Sequence, residues 1–379
     1  MMKQDRRDPE QFGRLLKTAI RKVALLDDKN ISLVQDELGY ALGRETGGAA
    51  IQFWERGHIP AKPGDVEALN HELLKRNGLS QREAIQLLHY AGLQGEGKSS
   101  AQTFIAGPPI TRPDLFFGRE YELKRLFGLW GQANLPMQNA AVIGPRGSGK
   151  TSLLFYLKTI TTTPRAHLRP EQRTDWLPDP DQYQWIYVDF RIPRLGSRRE
   201  LLRYLLTGLE LPVPQPCNLE GFVEVMRNEL ASPTIILLDE IDVALERYNN
   251  LDDAFWDGLR ALASTQVKGK LAFVLSSREF PSSLARRNHR SSDFFSIFAY
   301  LARLGPLTEP EARSLIDSAP VPFSTADIDW ILAESKGWPF LIQILCRERL
   351  FSLDEASAES HWREEGLRQL ELYQHLLAK

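Results

Sequence analysis

Cysteine is scarce. Only Cys217 and Cys346 occur among the 379 residues, far apart and outside any metal-type spacing, which excludes a disulfide framework and a zinc site. Both read as small core hydrophobes. Long apolar runs are missing as well: none approaches the roughly 18 residues that a membrane span needs. The opening Met1-Met2-Lys3-Gln4-Asp5-Arg6-Arg7 lacks the apolar centre of a secretory signal. A cytoplasmic chain with no membrane partner is therefore expected. Excess charge of one sign is absent too. The formal net charge is −2, so any nucleic-acid binding must come from a local patch rather than from the field of the whole molecule. What remains, 42% hydrophobic and 25% charged residues, is ordinary for folded globular protein, and the length allows about two or three domains.

The chain changes character along its length. Apolar residues recur at helical spacing over 12–23, 31–42, 66–74 and 82–93, with no convincing strand. Residues 1–93 are therefore expected to be all-helical. Periodicity then fades over 94–114, where Gly95, Gly97, Ser99, Ser100, Gly107, Pro108, Pro109 and Pro113 gather, the composition of a linker. Beyond it come short apolar runs at 140–143, 185–190, 234–238, 271–275 and 301–304. Apolar on both faces and separated by helical stretches, these predict the buried strands of a parallel sheet, over 115–306. After Pro306 the pattern is helical again. Thr308-Glu309-Pro310-Glu311 has the form of a capping box, Ser324 can cap the next helix, and Gly337 with Pro339 can end it. A helical lid and C-terminal helix are expected over 307–379.

Gly144-Pro145-Arg146-Gly147-Ser148-Gly149-Lys150-Thr151 has the spacing G-x-x-x-x-G-K-[ST], between an apolar strand and a helix that begins at Ser152. Glycines let successive backbone N–H groups converge on phosphates, and a helix N-terminus adds positive potential. In that arrangement Lys150 reaches the β- and γ-phosphates and the Thr151 hydroxyl ligates Mg²⁺. The expected ligands are thus ATP or ADP with Mg²⁺. The run Thr234-Ile235-Ile236-Leu237-Leu238-Asp239-Glu240 supplies a buried strand ending in two carboxylates. Asp239 is the candidate for holding the metal, and Glu240 for activating water. Asp242 is a further acid that the assignment could slip to. Arg278, in Ser276-Ser277-Arg278-Glu279 after the next strand, either senses the γ-phosphate or pairs with an acid such as Glu279 or Asp239. The cluster Arg286-Arg287-Asn288-His289-Arg290 reads as a solvated basic loop, or as a contact to DNA phosphate or a neighbouring subunit's nucleotide.

In this order the motifs resemble the STAND-type ATPases and their archaeal-ATPase relatives within the AAA+ group, over residues 115–350. The resemblance implies roles for further residues. Phe117-Gly118-Arg119-Glu120, followed by Glu122-Leu123, looks like the opening motif that lies against adenine. Residues 144–151, Asp239-Glu240 and Ser276-Ser277-Arg278 match the Walker A, Walker B and sensor positions. Phe294-Phe295-Ser296-Ile297-Phe298, leading to Arg303-Leu304-Gly305-Pro306-Leu307-Thr308, is similar to the segment entering the lid. Gly337-Trp338-Pro339-Phe340 resembles the turn whose proline touches base or ribose. Members of that group typically continue into a winged helix and a repeat array or effector, whereas here one helical stretch follows Glu355. A separate sensing polypeptide, or assembly on a partner or as a homo-oligomer, is therefore expected.

Gln35-Asp36-Glu37-Leu38-Gly39-Tyr40-Ala41-Leu42-Gly43, then Phe53-Trp54-Glu55-Arg56-Gly57 and Pro60, resembles the Cro/phage-repressor helix-turn-helix family over residues 12–93. By that resemblance Gln35 abuts a DNA phosphate, the reading helix lies within 45–53, and Arg44 and Arg56 are near the DNA. Residues 1–100 carry 15 Lys and Arg against 14 Asp and Glu, so DNA reading and a helical scaffold for protein contacts both stay open. The expectation is an α/β P-loop NTPase with a helix-turn-helix module, an ATP-driven switch in regulation or defence. Two alternatives accompany it: a DNA-assembling ATPase resembling the target-selecting proteins of Mu-like transposons, and a transcription regulator with a structural nucleotide site.

Overall fold

The computed structural model describes residues 7–44, 47–76, 78–79, 81–93, 104–132, 135–355 and 361–377. By contacts the chain forms two compact units. One comprises residues 107–312, 336–340 and 375–379; the other comprises 1–106, 313–335 and 341–374. Among the described residues no helix is long and apolar enough to cross a membrane.

The first unit is built on five parallel strands: β1 (Asn139–Ile143), β2 (Gln184–Asp189), β3 (Thr234–Asp239), β4 (Leu271–Ser277) and β5 (Phe298–Arg303). Their spatial order is β2-β3-β4-β1-β5. Every neighbouring pair is parallel, with Ala141 opposite Leu275 and Leu237 opposite Val274. Alternation along the central strands feeds two cores. Ala141, Ile143, Ile236, Leu238, Phe273 and Leu275 pack on one face, with Trp256 and Phe294. Ala140, Val142, Ile235, Leu237, Ala272 and Val274 pack on the other, with Leu153, Leu154 and Leu157. A strand covered on both faces needs apolar residues at every position, and β3 and β4 are buried throughout. β5 differs from expectation: it starts at Phe298, earlier than the apolar run at 301–304. It lies at the sheet edge with exposed and covered residues alternating, which shortens its apolar signal.

The other unit opens with α1 (Pro9–Leu26), α2 (Ile31–Ala41), α3 (Ala49–Glu55), α4 (Pro63–Lys75) and α5 (Gln81–Tyr90). Side-chain caps set the first two starts. Asp8 accepts from the Gln11 N–H at 3.1 Å, with Pro9 in the first turn, and Asn30 accepts from the Leu33 N–H at 2.8 Å. Phe12, Leu16, Ile20, Val34, Leu38, Ile51, Trp54 and Leu69 form the core between them. Gly39 permits a close approach, since an added Cβ would meet the Gly47 carbonyl oxygen at 2.0 Å. Of the segment 45–53, residues 45 and 46 lie outside the described residues, as do 94–103 of the expected linker.

α6 (Glu120–Phe127) precedes β1, and between the strands run α7 (Lys150–Thr159), α8 (Arg198–Gly208), α9 (Leu219–Glu229), α10 (Ile241–Arg247), α11 (Asp253–Ala261) and α12 (Pro281–Arg287). After β5 come α13 (Glu309–Ile316), α14 (Thr325–Ser335), α15 (Pro339–Glu355), α16 (His361–Leu370) and α17 (Gln374–Leu377). The capping residues behave as the sequence predicts. Glu311 accepts from both the Thr308 N–H and its hydroxyl at 2.9 Å, and Ser324 accepts from the Asp327 N–H at 3.1 Å. Cys217 and Cys346 are free and buried.

Candidate functional site

The glycine loop joins β1 to α7. Gly147 and Gly149 take φ of +87° and +93°, backbone that L side chains adopt only under strain. A Cβ on Gly149 would meet nothing within 4 Å, so the loop is open there. Lys150 starts α7 with its side chain folded back into the loop, donating to the Gly144 carbonyl at 2.8 Å and the Pro145 carbonyl at 3.2 Å. Burial pushes its pKa down, while Glu240, Asp242 and Asp239 pull it up. Ser148 Oγ is buried and has no hydrogen-bond partner among the described residues. Ser152 Oγ accepts from the Ile110 N–H at 3.0 Å. The Arg146 carbonyl lies 3.3 Å from a His375 ring nitrogen.

Asp239, fully buried at the end of β3, gathers four donors. Thr151 Oγ1 donates to its Oδ2 at 2.8 Å and the Tyr187 hydroxyl to the same oxygen at 2.7 Å. Ser276 Oγ donates to Oδ1, as does the Glu240 N–H at 3.1 Å. Glu240 caps α10 at φ +57°. Burial first, then the adjacent Asp239, raises the pKa of its carboxyl, and Arg191, 3.8 Å away, opposes this. Asp242, also buried, accepts from Arg278 Nε at 3.0 Å, and Glu246 accepts from the same guanidinium at 2.8 Å. Arg278 thus has acid partners, but they are these two rather than Glu279 or Asp239. Glu279 is held by Arg287, while Arg286 is exposed.

The residues of the opening motif converge behind the loop. Gly118 and Arg119 both take positive φ, +72° and +64°. This turn sends the Arg119 guanidinium inward to the carbonyls of Ser148 and Pro306, each at 3.4 Å, and of Gly305. Burial pushes the Arg119 pKa down. Its N–H donates to Glu311 at 2.6 Å, so the carboxylate that caps α13 also holds this turn. Phe117 lies beneath the Arg169 guanidinium, 3.8 Å from the ring centroid. Pro339 opens α15 after Gly337, whose carbonyl accepts from the Leu307 N–H at 2.8 Å. A Cβ on Gly147 would meet Phe340 at 3.6 Å and Leu376 at 3.2 Å.

In the N-terminal helices the three residues offered for DNA have different surroundings. Gln35 is buried, donating to Glu55 at 2.8 Å and accepting from Gln52 at 3.1 Å. Arg44 pairs with Asp65 and lies 5.6 Å from the Trp54 ring centroid. Arg56 is exposed. Tyr187, Arg191 and Glu311 escaped the sequence reading of the site. Tyr187 passes for a core residue of a strand, and only the register that sets it near Asp239 distinguishes it.

Five parallel strands in this order, with the glycine loop after β1 and acids after β3, define the α/β P-loop ATPase fold. Solved structures agree. The ORC2 protein of Aeropyrum pernix in its ADPNP and ADP complexes matches over 72% of this chain and 72% of its own, with a TM-score of 0.50 at 14% identity. Its ADP form matches over the same shares with a TM-score of 0.50 at 11% identity. A Walker-type ATPase of Pyrococcus abyssi matches over 72% of this chain and 76% of its own, with a TM-score of 0.49 at 15% identity. At such identities the likeness is one of fold. No protein-family model matches the chain, and no curated protein matches it in sequence.

Proposed function

We propose that the chain binds ATP and ADP with Mg²⁺ at the glycine loop, hydrolyses ATP, and acts as a nucleotide-driven switch of the STAND/AAA+ type in regulation or defence. The observation that carries this reading is the meeting of Lys150, Thr151 and Asp239 at an open loop of positive-φ glycines. Its ligands fit. A buried Ser148 hydroxyl without a partner among the described residues and an ammonium hydrogen-bonded to loop carbonyls suit a polyphosphate, and a carboxylate beside a threonine hydroxyl is a hard-oxygen donor set of the kind Mg²⁺ takes.

In this reading the loop amides and Lys150 would neutralise the β- and γ-phosphates, while Thr151 would ligate the metal and Asp239 would hold it through its water shell. When bound, Mg²⁺ supplies positive charge to the phosphate oxygens. Glu240 accepts a proton from the water that attacks the terminal phosphorus, and the bond to the departing ADP oxygen breaks. Phe117, Gly118, Arg119 and Pro339 contribute the adenosine side. Arg278, held by Asp242 and Glu246, would sense the γ-phosphate and stabilise charge in the transition state. We take residues 1–93 as a helix-turn-helix module, 94–114 as linker, 115–306 as the ATPase core and 307–379 as lid and C-terminal helix. The first module would meet DNA or a partner protein, with Arg56 the exposed member of the three residues named for DNA.

The test is calorimetry of ADP on the intact protein, followed by particle size and ATP turnover with ADP, with ATP and with ATP plus DNA. Absence of binding by any adenine or guanine nucleotide would overturn the proposal. Growth in size with ATP and DNA together would identify an assembling ATPase instead of a partner-coupled switch.

A further inference from the structure

A carboxylate that is to hold a metal must keep its plane while its neighbours rearrange. Asp239 Oδ2 has two hydroxyl donors, Thr151 at 2.8 Å and Tyr187 at 2.7 Å. In the proposed nucleotide complex Thr151 turns its oxygen to the metal and its proton no longer serves Asp239 in the same way. Tyr187 has no such second duty. It sits on β2, in register with Leu237 of β3. Its ring lies against Phe155 of α7, with centroids 4.7 Å apart and planes inclined at 33°. Its carbonyl accepts from the Tyr204 hydroxyl at 2.9 Å. Backbone register and ring contact therefore fix the phenol from two sides, and its hydroxyl stays on Oδ2. On the other oxygen, Ser276 Oγ and the Glu240 N–H do the same.

We infer that Tyr187 is a positioning residue for the metal-holding acid, keeping Asp239 oriented when Thr151 leaves it for Mg²⁺. This rests on the nucleotide reading above. A residue one shell out from a metal orients the ligand, and its loss lowers metal affinity by about 10–100-fold in comparable sites. Because Tyr187 touches neither phosphate nor base in this arrangement, its removal should spare nucleotide binding without metal. A merely structural tyrosine would weaken both together.

The experiment is calorimetric titration of the full chain with ADP, in EDTA and at increasing MgCl₂, comparing wild type with Tyr187→Phe. The expected result is unchanged affinity in EDTA and about a tenfold higher Mg²⁺ requirement. Equal Mg²⁺ dependence in the two proteins overturns the inference, and so does a parallel loss with and without metal. Phe155→Leu leaves the hydroxyl but removes the ring that braces it. It should show the same selective loss in smaller measure, and should Tyr187→Phe fail to fold, an unchanged Mg²⁺ dependence in Phe155→Leu overturns the inference. Failure of the wild type to bind ADP at all defeats the underlying nucleotide reading, and is seen before either variant is compared.

Discussion

At the scale of single residues, two side chains separate binding from turnover. Lys150 is buried and, among the described residues, donates its hydrogen bonds to two backbone carbonyls, so its ammonium gains from a phosphate. Charge-assisted hydrogen bonds to such a group are worth up to about 3 kcal/mol, or roughly a hundredfold in affinity. Lys150→Ala should lose up to about that much in ADP calorimetry, and retention of wild-type affinity would remove Lys150 from the site. Glu240 has a raised pKa because it is buried beside Asp239. As a base it works only when ionised, so the acid limb of turnover should lie above the ordinary carboxylate range, with activity lost as pH falls through it. Glu240→Gln should keep ATP bound, slow turnover by about 10²–10⁴-fold and abolish that limb. A pH–rate profile for both proteins decides it; wild-type turnover in Glu240→Gln rejects the assignment. The loop and Asp239-Glu240 were legible because glycine spacing and a strand ending in acids are local patterns. The partners of Arg278 were not. Asp242 and Glu246 lie one helical turn apart on α10, and only the placing of β4 beside β3 brings Arg278 to them.

At the scale of elements, the legible features were those set by a few neighbouring residues. Thr308 through Glu311 predicted the start of α13, and Asn30 and Asp8 start helices by the same chemistry. What the sequence could not show is that Glu311 has a second task, accepting from the Arg119 N–H 192 positions away. Glu311→Ala should therefore cost more than a cap alone. A cap contributes about 1 kcal/mol, and leaving the Arg119 N–H unpaired adds about 1–3 kcal/mol. Thermal unfolding of Glu311→Ala against Thr308→Ala separates the two tasks: the glutamate variant should melt lower, while equal melting temperatures would show that the Arg119 contact contributes nothing. Edge strands mark the other limit of legibility. β5 flanks the sheet with exposed and covered residues alternating, so its apolar run is shortened, whereas β3 and β4 announce themselves as continuous runs, and β2, though also at an edge, stays close to its expected run at 185–190.

At the scale of the whole chain, helices distant in sequence share a core. The unit that contains residues 1–106 also contains 313–335 and 341–374. Val321 is buried among the same residues as Phe12, Leu16 and Trp54. Phe104 and Phe323 have ring centroids 6.4 Å apart, and the Ile105 N–H donates to Gln343 at 2.9 Å. Linear reading misses this, because periodicity tells which face of a helix is apolar and not which helix covers it. The consequence concerns truncation. A chain starting at Gly107 would leave Val321 and Phe323, now 2% and 8% exposed, without part of their cover. Newly exposed apolar surface costs about 25 cal/mol per Å² and loosens local structure. Limited proteolysis should then cut within 313–374 faster in the shortened chain than in the full one, while cleavage within β1, β3 and β4, whose two cores lie entirely in the other unit, keeps its rate. Equal protection of 313–374 in both chains would mean that those helices hold themselves together without the N-terminal module.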